Sequence, residues 1–67
     1  MILSEERTKT RILEHLKLRG QLHSKAIAVD LDMSPITASK YLRILEAEGK
    51  VQRVNMKPYV FWRLSKG

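Results

Sequence analysis

The short connection between the second and third predicted helices is the feature that most restricts the fold. Apolar residues at helical spacing predict a helix over 25–31, and Ser34-Pro35 is typical of a helix start, with an N-cap serine and proline in the first turn. Only Asp32 and Met33 lie between this helix and the next cap, and Asp32 is expected to be left-handed, because Asp tolerates that conformation. Helices joined so closely cannot run antiparallel for long, so they must cross steeply, as in a helix-turn-helix.

The N-terminal part of the chain predicts one further helix and a short extended segment. Ser4 is a suitable N-cap for a helix over 5–19, which is expected to end at Gly20. Residues 21–23 are predicted to be an extended connector, and Ser24 is predicted to cap the second helix.

The C-terminal part of the chain predicts a long helix followed by a hairpin. The third helix is predicted over 35–48 and ends at Gly49, after which the spacing changes from helical to extended. β-Branched and aromatic residues predict a strand over 51–55 and a return strand over 59–64, with a turn at 56–58. The predicted order is therefore helix, short strand, helix, helix, hairpin.

The hairpin is expected to pack on the helices, because an isolated hairpin is barely stable. Trp62 shares a strand face with Val60 and Leu64, so this face is predicted to be the buried one and Trp62 a core anchor. Tyr59 and Phe61 point the other way. Three roles remain open for Tyr59 and Phe61: covering the edge of helix one, stacking in a dimer, or forming part of a protein-binding patch.

Composition limits the size and the partner of this fold. The chain of 67 residues is predicted to form one domain over 1–67, in the α+β class, with three helices and a C-terminal β-hairpin. Thirteen basic and seven acidic side chains give a net charge of +6. Residues 51–67 carry four basic side chains and no acidic one. This asymmetry favours a polyanionic partner such as a nucleic-acid backbone.

Several classes of function are disfavoured by the residues. The chain has no cysteine, which removes thiol nucleophiles and zinc–thiolate or iron–sulfur sites. His15 and His23 have no third ligand at a zinc spacing. His23, Ser24 and Asp30 suggest a hydrolase triad, but no oxyanion hole or nucleophile elbow accompanies them. We therefore expect no enzyme activity, cofactor, metal or small-molecule ligand, and, since no apolar run could span a membrane, a cytoplasmic location.

The outer surface of the third helix carries the predicted binding residues. Ala38, Tyr41, Leu42 and Leu45 form its core side, and the opposite side is small, polar or basic until Glu46. We predict that helix 35–48 enters the major groove of duplex DNA and that the wing 51–64 lies on the flanking backbone or minor groove. The predicted DNA contacts are Ser24, Lys25, Ser34, Pro35, Ile36, Thr37, Ser39, Lys40, Arg43, Arg53, Asn55 and Lys57. Five or six phosphate contacts predict a slope of about −5 in log affinity against log salt.

The run SPITASKYLRILEAEGKV, residues 34–51, resembles the recognition helix and first wing strand of winged helix-turn-helix DNA-binding proteins. Residues 26–34 resemble the first half of the same motif, and the resemblance extends over 8–64. Within that superfamily, residues 41–49, 51–53 and 61–64 are most similar to small fimbrial-operon regulators of the PapI/FaeA type. That resemblance implies transcription regulation by a small adaptor that acts with a global DNA-binding protein.

The chain departs from the wider superfamily pattern at Asp32 and in its hairpin turn, which is only a few residues long. Asp32 stands where the turn after helix two usually has glycine. The branch that binds Z-form nucleic acid places asparagine, arginine and tyrosine where this chain has Ser39, Lys40 and Arg43. Despite a faint similarity in the wing at Pro58 and Trp62, the chain is not predicted to belong to that branch.

The resulting hypothesis is sequence-specific binding of double-stranded DNA by a small transcriptional regulator. One copy contacts only a few base pairs, so specificity requires a homodimer, tandem copies or a second DNA-binding protein. The alternative is a winged helix that serves as a protein-interaction module or adaptor without base readout, with Tyr59 and Phe61 as its contact. RNA binding through the same basic surface is a third hypothesis.

Overall fold

The predicted order of elements is confirmed. The computed structural model describes residues 4–65, so residues 1–3 and 66–67 of the predicted domain lie outside the described residues. The elements in chain order are α1 (Ser4–Arg19), β1 (Gln21–His23), α2 (Ser24–Asp30), α3 (Pro35–Ala47), β2 (Val51–Met56) and β3 (Tyr59–Leu64).

The short connector β1 joins the hairpin and makes a three-stranded antiparallel sheet of order β1-β3-β2. Leu22 pairs with Trp62 and His23 pairs with Phe61, so β3 is the central strand. The sequence predicted the extended connector but not its pairing with β3. This pairing ties the wing to the segment between the first two helices and thereby fixes the wing relative to α2.

The N-terminus of α2 differs from the prediction. Ser24 is the first residue of the helix, and His23 is its N-cap, because the His23 Nδ1 accepts a hydrogen bond from the backbone N–H of Lys25 at 3.0 Å. An imidazole nitrogen one residue earlier thus supplies the acceptor that the Ser24 hydroxyl was expected to supply. The helix also ends one residue early, with Leu31 as its C-cap.

The other helix ends agree with the sequence patterns within one residue. Ser34 caps α3 as predicted, and Asp32 has a φ of 55°, in the left-handed region expected of it. Ser4 is a helical residue rather than a cap, and α3 ends at Ala47, with Glu48 as its C-cap. Strand β2 continues to Met56, so the turn is shorter than predicted.

The core lies between the three helices and the inner face of the sheet. Trp62 is 5% exposed, which confirms it as the anchor of the hairpin. It packs with apolar side chains from all three helices and from β2, namely Ile12, Leu16, Ile27, Leu42, Leu45 and Val51.

A buried lysine, which the sequence did not predict, joins α1 to the end of α3. The Lys9 Nζ lies 2.8 Å from a carboxylate oxygen of Glu48 and 3.4 Å from one of Glu6. The hydrogen bond with Glu48 raises the pKa of Lys9, and the same bond lowers the pKa of Glu48. Both charged forms are therefore favoured in the folded chain.

Two further polar contacts hold α2 against α1. The His15 Nε2 lies 2.8 Å from the Asp30 Oδ2. The Arg11 guanidinium donates to the carbonyl of Leu31 at 3.1 Å. These contacts fix the C-terminal end of α2 against α1. No helix within residues 4–65 has the length and apolar character needed to cross a membrane.

Candidate nucleic-acid interface

The burial pattern of α3 determines which side chains it presents outward. Ala38, Leu42 and Leu45 are fully buried, as their helical spacing predicted, whereas Tyr41 is half-buried and packs against the core. Ile36, on the opposite side, is 82% exposed although it is a large apolar residue. Burial of one side of α3 therefore leaves Ile36, Ser39, Lys40 and Arg43 on the outer one.

The start of α2 and the outer side of α3 enclose an open groove of about 420 Å³. All of its lining residues belong to the predicted contact set, and none is acidic: Ser24, Lys25, Pro35, Ile36, Ser39, Lys40 and Arg43. We call these seven residues the α2–α3 groove. The side chains at the start of α3 are small or apolar, so another molecule can approach the helix closely there. Cations on both α2 and α3 border this part of the groove.

Two predicted contact residues, Ser34 and Thr37, are used in the cap of α3. The Thr37 N–H donates to the Ser34 Oγ at 3.1 Å, and the Ser34 hydroxyl donates to the Thr37 Oγ1 at 2.9 Å. These bonds satisfy backbone and side-chain groups at the helix start. Their structural effect is to fix the first turn of α3, on which Ile36 stands.

One backbone N–H at the start of α2 is used within the protein. The N–H of Lys25 donates to the His23 Nδ1 and is therefore not free for an external acceptor. Lys25 therefore brings its side-chain ammonium to the groove and not its amide.

The cations of α3 are available for an external anion. The Lys40 Nζ lies 5.4 Å from the ring centroid of Tyr41, a cation–π contact that holds the side chain along the helix. Within the described residues neither Lys40 nor Arg43 forms an ion pair, whereas Lys9, Lys50 and Arg53 do.

Arg53, predicted to contact DNA from the wing, is tied to the helical core. Its guanidinium lies 3.2 Å from the Glu46 carboxylate and 5.1 Å from the ring centroid of Trp62, its partner across the sheet. Arg53 is the only cation of β2, so the ion pair offsets the positive charge of this strand. Asn55 and Lys57, further along the hairpin, are exposed.

The residues that suggested other chemistry do not assemble into a site. Asp30 pairs with His15 and not with His23, so the tempting triad of His23, Ser24 and Asp30 is not formed. Residues 4–65 contain no cluster of three side chains that could hold a metal ion.

The sequence also missed one cluster beside the groove. The His23 ring lies 5.8 Å from that of Tyr59 and 5.9 Å from that of Phe61, both edge to face. Tyr59 and Phe61 thus pack on His23 at the start of α2, a contact absent from the alternatives considered for them. The signal was the alternation of the aromatic residues along β3, but the pairing of β1 with β3 was needed to place His23.

The sequence pattern of the FaeA-like protein family matches residues 8–66, and this match establishes the family of the chain. The chain belongs to the FaeA-like family. This confirms the resemblance to PapI/FaeA-type regulators drawn from the helix-turn-helix and wing residues. No curated protein sequence matches the FaeA-like chain significantly.

Solved structures similar to the FaeA-like chain are winged helices. The apo Zα domain of zebrafish PKZ is 22% identical with a TM-score of 0.91, covering 96% of this chain and 100% of that domain. The Zα domain of Carassius auratus PKZ, solved in complex with Z-DNA, is 26% identical with a TM-score of 0.85, covering 92% and 98%. The antimony-specific transcriptional repressor AntR is 21% identical with a TM-score of 0.75, covering 84% of this chain and 50% of the repressor. The α+β winged-helix prediction is therefore confirmed.

Proposed function

We propose that this FaeA-like chain binds double-stranded DNA sequence-specifically and acts as a small transcriptional regulator. In this proposal α3 enters the major groove and the wing lies along the flanking backbone. The observation that carries the proposal is the α2–α3 groove, in which seven predicted contact residues line one acid-free concavity. Membership of the FaeA-like family supports the regulatory role.

The side chains of the groove suit distinct parts of the duplex. The exposed Ile36 can contact a thymine methyl group, and the Arg43 guanidinium can pair bidentately with guanine. Lys25 and Lys40 stand on the two helices that border the groove, where an ammonium suits phosphate. We therefore assign base readout to Ile36, Ser39 and Arg43 and positioning to the two lysines.

The wing contributes less charge than its composition suggests. Arg53 is paired with Glu46, which leaves Lys57 as the wing cation best placed for phosphate. Counting Lys57 with the two groove lysines gives three phosphate contacts and a salt slope of about −2.7, shallower than the −5 expected from the sequence. A monomer with so few contacts needs a second copy or a second DNA-binding protein for useful specificity.

We expect the DNA to be right-handed. The Carassius auratus domain was solved with Z-DNA, but the Z-binding branch places asparagine, arginine and tyrosine where this chain has Ser39, Lys40 and Arg43. Trp62 is buried and its ring is in contact with Arg53, so its stacking surface is largely occupied. Addition of the chain to an alternating d(CG) duplex should leave the circular dichroism of the right-handed form uninverted.

The test of the proposal is a pair of double variants with equal loss of charge. Lys40→Ala with Arg43→Ala should abolish retardation of a duplex chosen by selection from random DNA. Lys17→Ala with Arg19→Ala, on the exposed C-terminal turn of α1, should retain most of the binding. Equal loss in both pairs would contradict the proposal, because it would mean that only total charge matters. Duplex RNA is titrated with the same proteins. The RNA hypothesis would be favoured if wild-type protein bound duplex RNA as tightly as the selected DNA and the Lys40→Ala, Arg43→Ala variant lost both.

A further inference from the structure

The pairing of β1 with β3 builds an aromatic pocket beside the α2–α3 groove. His23 and Phe61 are direct cross-strand partners, and Tyr59 follows on the same face of β3 because alternate residues of a strand share a face. The three rings and Lys25 line a concavity of about 440 Å³, which we call the aromatic pocket. This face of the sheet is opposite to the one that carries Trp62 into the core.

The ring geometry of the pocket suits a flat aromatic guest. The plane of His23 is nearly perpendicular to those of Tyr59 and Phe61, at 79° and 84°, while Tyr59 and Phe61 are tilted by 59°. A flat guest stacked on one ring would therefore make an edge-to-face contact with another. Stacking and edge-to-face contact are the two favoured arrangements of aromatic rings. Tyr59 is 56% exposed, so its ring is accessible without rearrangement of the core.

The cap of α2 fixes the orientation and the tautomer of His23. Because Nδ1 accepts the Lys25 N–H, the neutral ring carries its proton on Nε2. The described part of the chain supplies no acceptor for that proton. The His23 Nε2–H thus adds a hydrogen-bond donor to the stacking surfaces of the pocket.

Lys25 connects the pocket to the proposed DNA interface, since it lines both the aromatic pocket and the α2–α3 groove. A nucleotide whose phosphate pairs with Lys25 would have its base within reach of the rings, and no acidic side chain lines either concavity. We propose that the aromatic pocket binds an unpaired nucleobase of the same DNA, at a single-stranded extension or junction next to the duplex held by α3. This inference rests on the proposed function, because it extends that interface from paired to unpaired nucleotides.

The test compares bases with phosphates alone. Three labelled duplexes share one selected site: one is blunt, one carries a short thymidine overhang, and one carries an abasic overhang with the same number of phosphates. Wild-type protein should bind the thymidine form at least about fivefold more tightly than the abasic form, since one stacked base supplies that much. Both overhang polarities are needed, and the preference should appear for at least one of them.

Variants at Tyr59 assign the effect to the pocket. Tyr59→Ala should remove the preference for thymidine over abasic overhangs, and Tyr59→Phe should retain it, because the ring is kept. Leu18→Ala, which truncates another side chain that is large, apolar and exposed (80%), should leave the preference unchanged. Affinity for the blunt duplex should be nearly the same in all three variants.

The outcomes separate the two proposals. Equal binding of thymidine and abasic overhangs, with tight binding of the blunt duplex, would overturn the pocket and leave the proposed function standing. Failure of wild-type protein to bind the blunt duplex would instead overturn the proposed function. A third outcome combines two results: wild-type protein shows no base preference, and sedimentation shows that Tyr59→Ala abolishes its self-association. This outcome would assign the pocket to a second copy and overturn the nucleobase proposal.

Discussion

Replacement of Trp62 by alanine should remove most of the stability of this domain. Trp62 is 5% exposed and joins the hairpin to all three helices, so its truncation leaves a large cavity. Truncation of a buried aromatic side chain costs about 3–5 kcal/mol. A chain of this length has a total stability of about 3–10 kcal/mol. The variant is therefore expected to be largely unfolded, or nearly so, at 25 °C.

The loss should exceed that of the cavity alone, because Arg53 also loses the ring beneath its guanidinium. This cation–π contact is worth about 0.5–1 kcal/mol at an exposed site. Urea titration followed by far-ultraviolet circular dichroism measures the change. Trp62→Phe is the control, since it keeps an apolar ring in the same place and should lose less. A Trp62→Ala protein with a near-native urea midpoint would show that the hairpin does not depend on this contact.

Three substitutions outside the core test the wing cation, the Lys9–Glu48 ion pair and the cap of α2. Lys57→Ala should weaken binding to all duplexes alike and lower the magnitude of the salt slope by about 0.9, measured by titration at several salt concentrations. Glu48→Gln should flatten the decrease of unfolding free energy at acid pH. Because the folded chain lowers the pKa of Glu48, its contribution to stability is present above about pH 4.5 and is lost as pH falls through the folded pKa. His23→Ala should cost about 1 kcal/mol of unfolding free energy through loss of the α2 cap, whereas Ser24→Ala should cost less than about 0.5 kcal/mol, and a larger loss at Ser24 would refute the assignment of the cap.

The helices could be predicted because local chemistry determines them. The Ser34-Pro35 start, the left-handed Asp32 and the buried side of α3 all follow from propensity and spacing within a few residues. The same holds for Trp62, because alternation along β3 leaves only one face for the core. The outer residues of α3 followed directly from its buried side.

Most of the features that sequence reasoning missed depend on long-range pairing. The sheet edge at β1 and the aromatic pocket require His23 to lie opposite Phe61, which no local pattern specifies. The His23 cap is local, but the serine that follows it is the commoner N-cap residue. The ion pairs of Lys9 with Glu48 and of Arg53 with Glu46 join different elements and are likewise invisible to charge counting. The second of these explains why the basic composition of residues 51–67 overstates the charge available to DNA.

The central claim is that the outer side of α3 distinguishes base sequences, and Arg43 tests it most directly. The measurement is the affinity of wild-type and Arg43→Ala protein for a selected duplex and for its scrambled counterpart, at fixed salt. Arg43→Ala should lose about 1–3 kcal/mol on the selected duplex and much less on the scrambled one, so that the ratio between them collapses. If Arg43→Ala weakens both duplexes equally while Lys57→Ala reduces the ratio, the wing determines specificity and α3 only rests on the backbone, which contradicts the account.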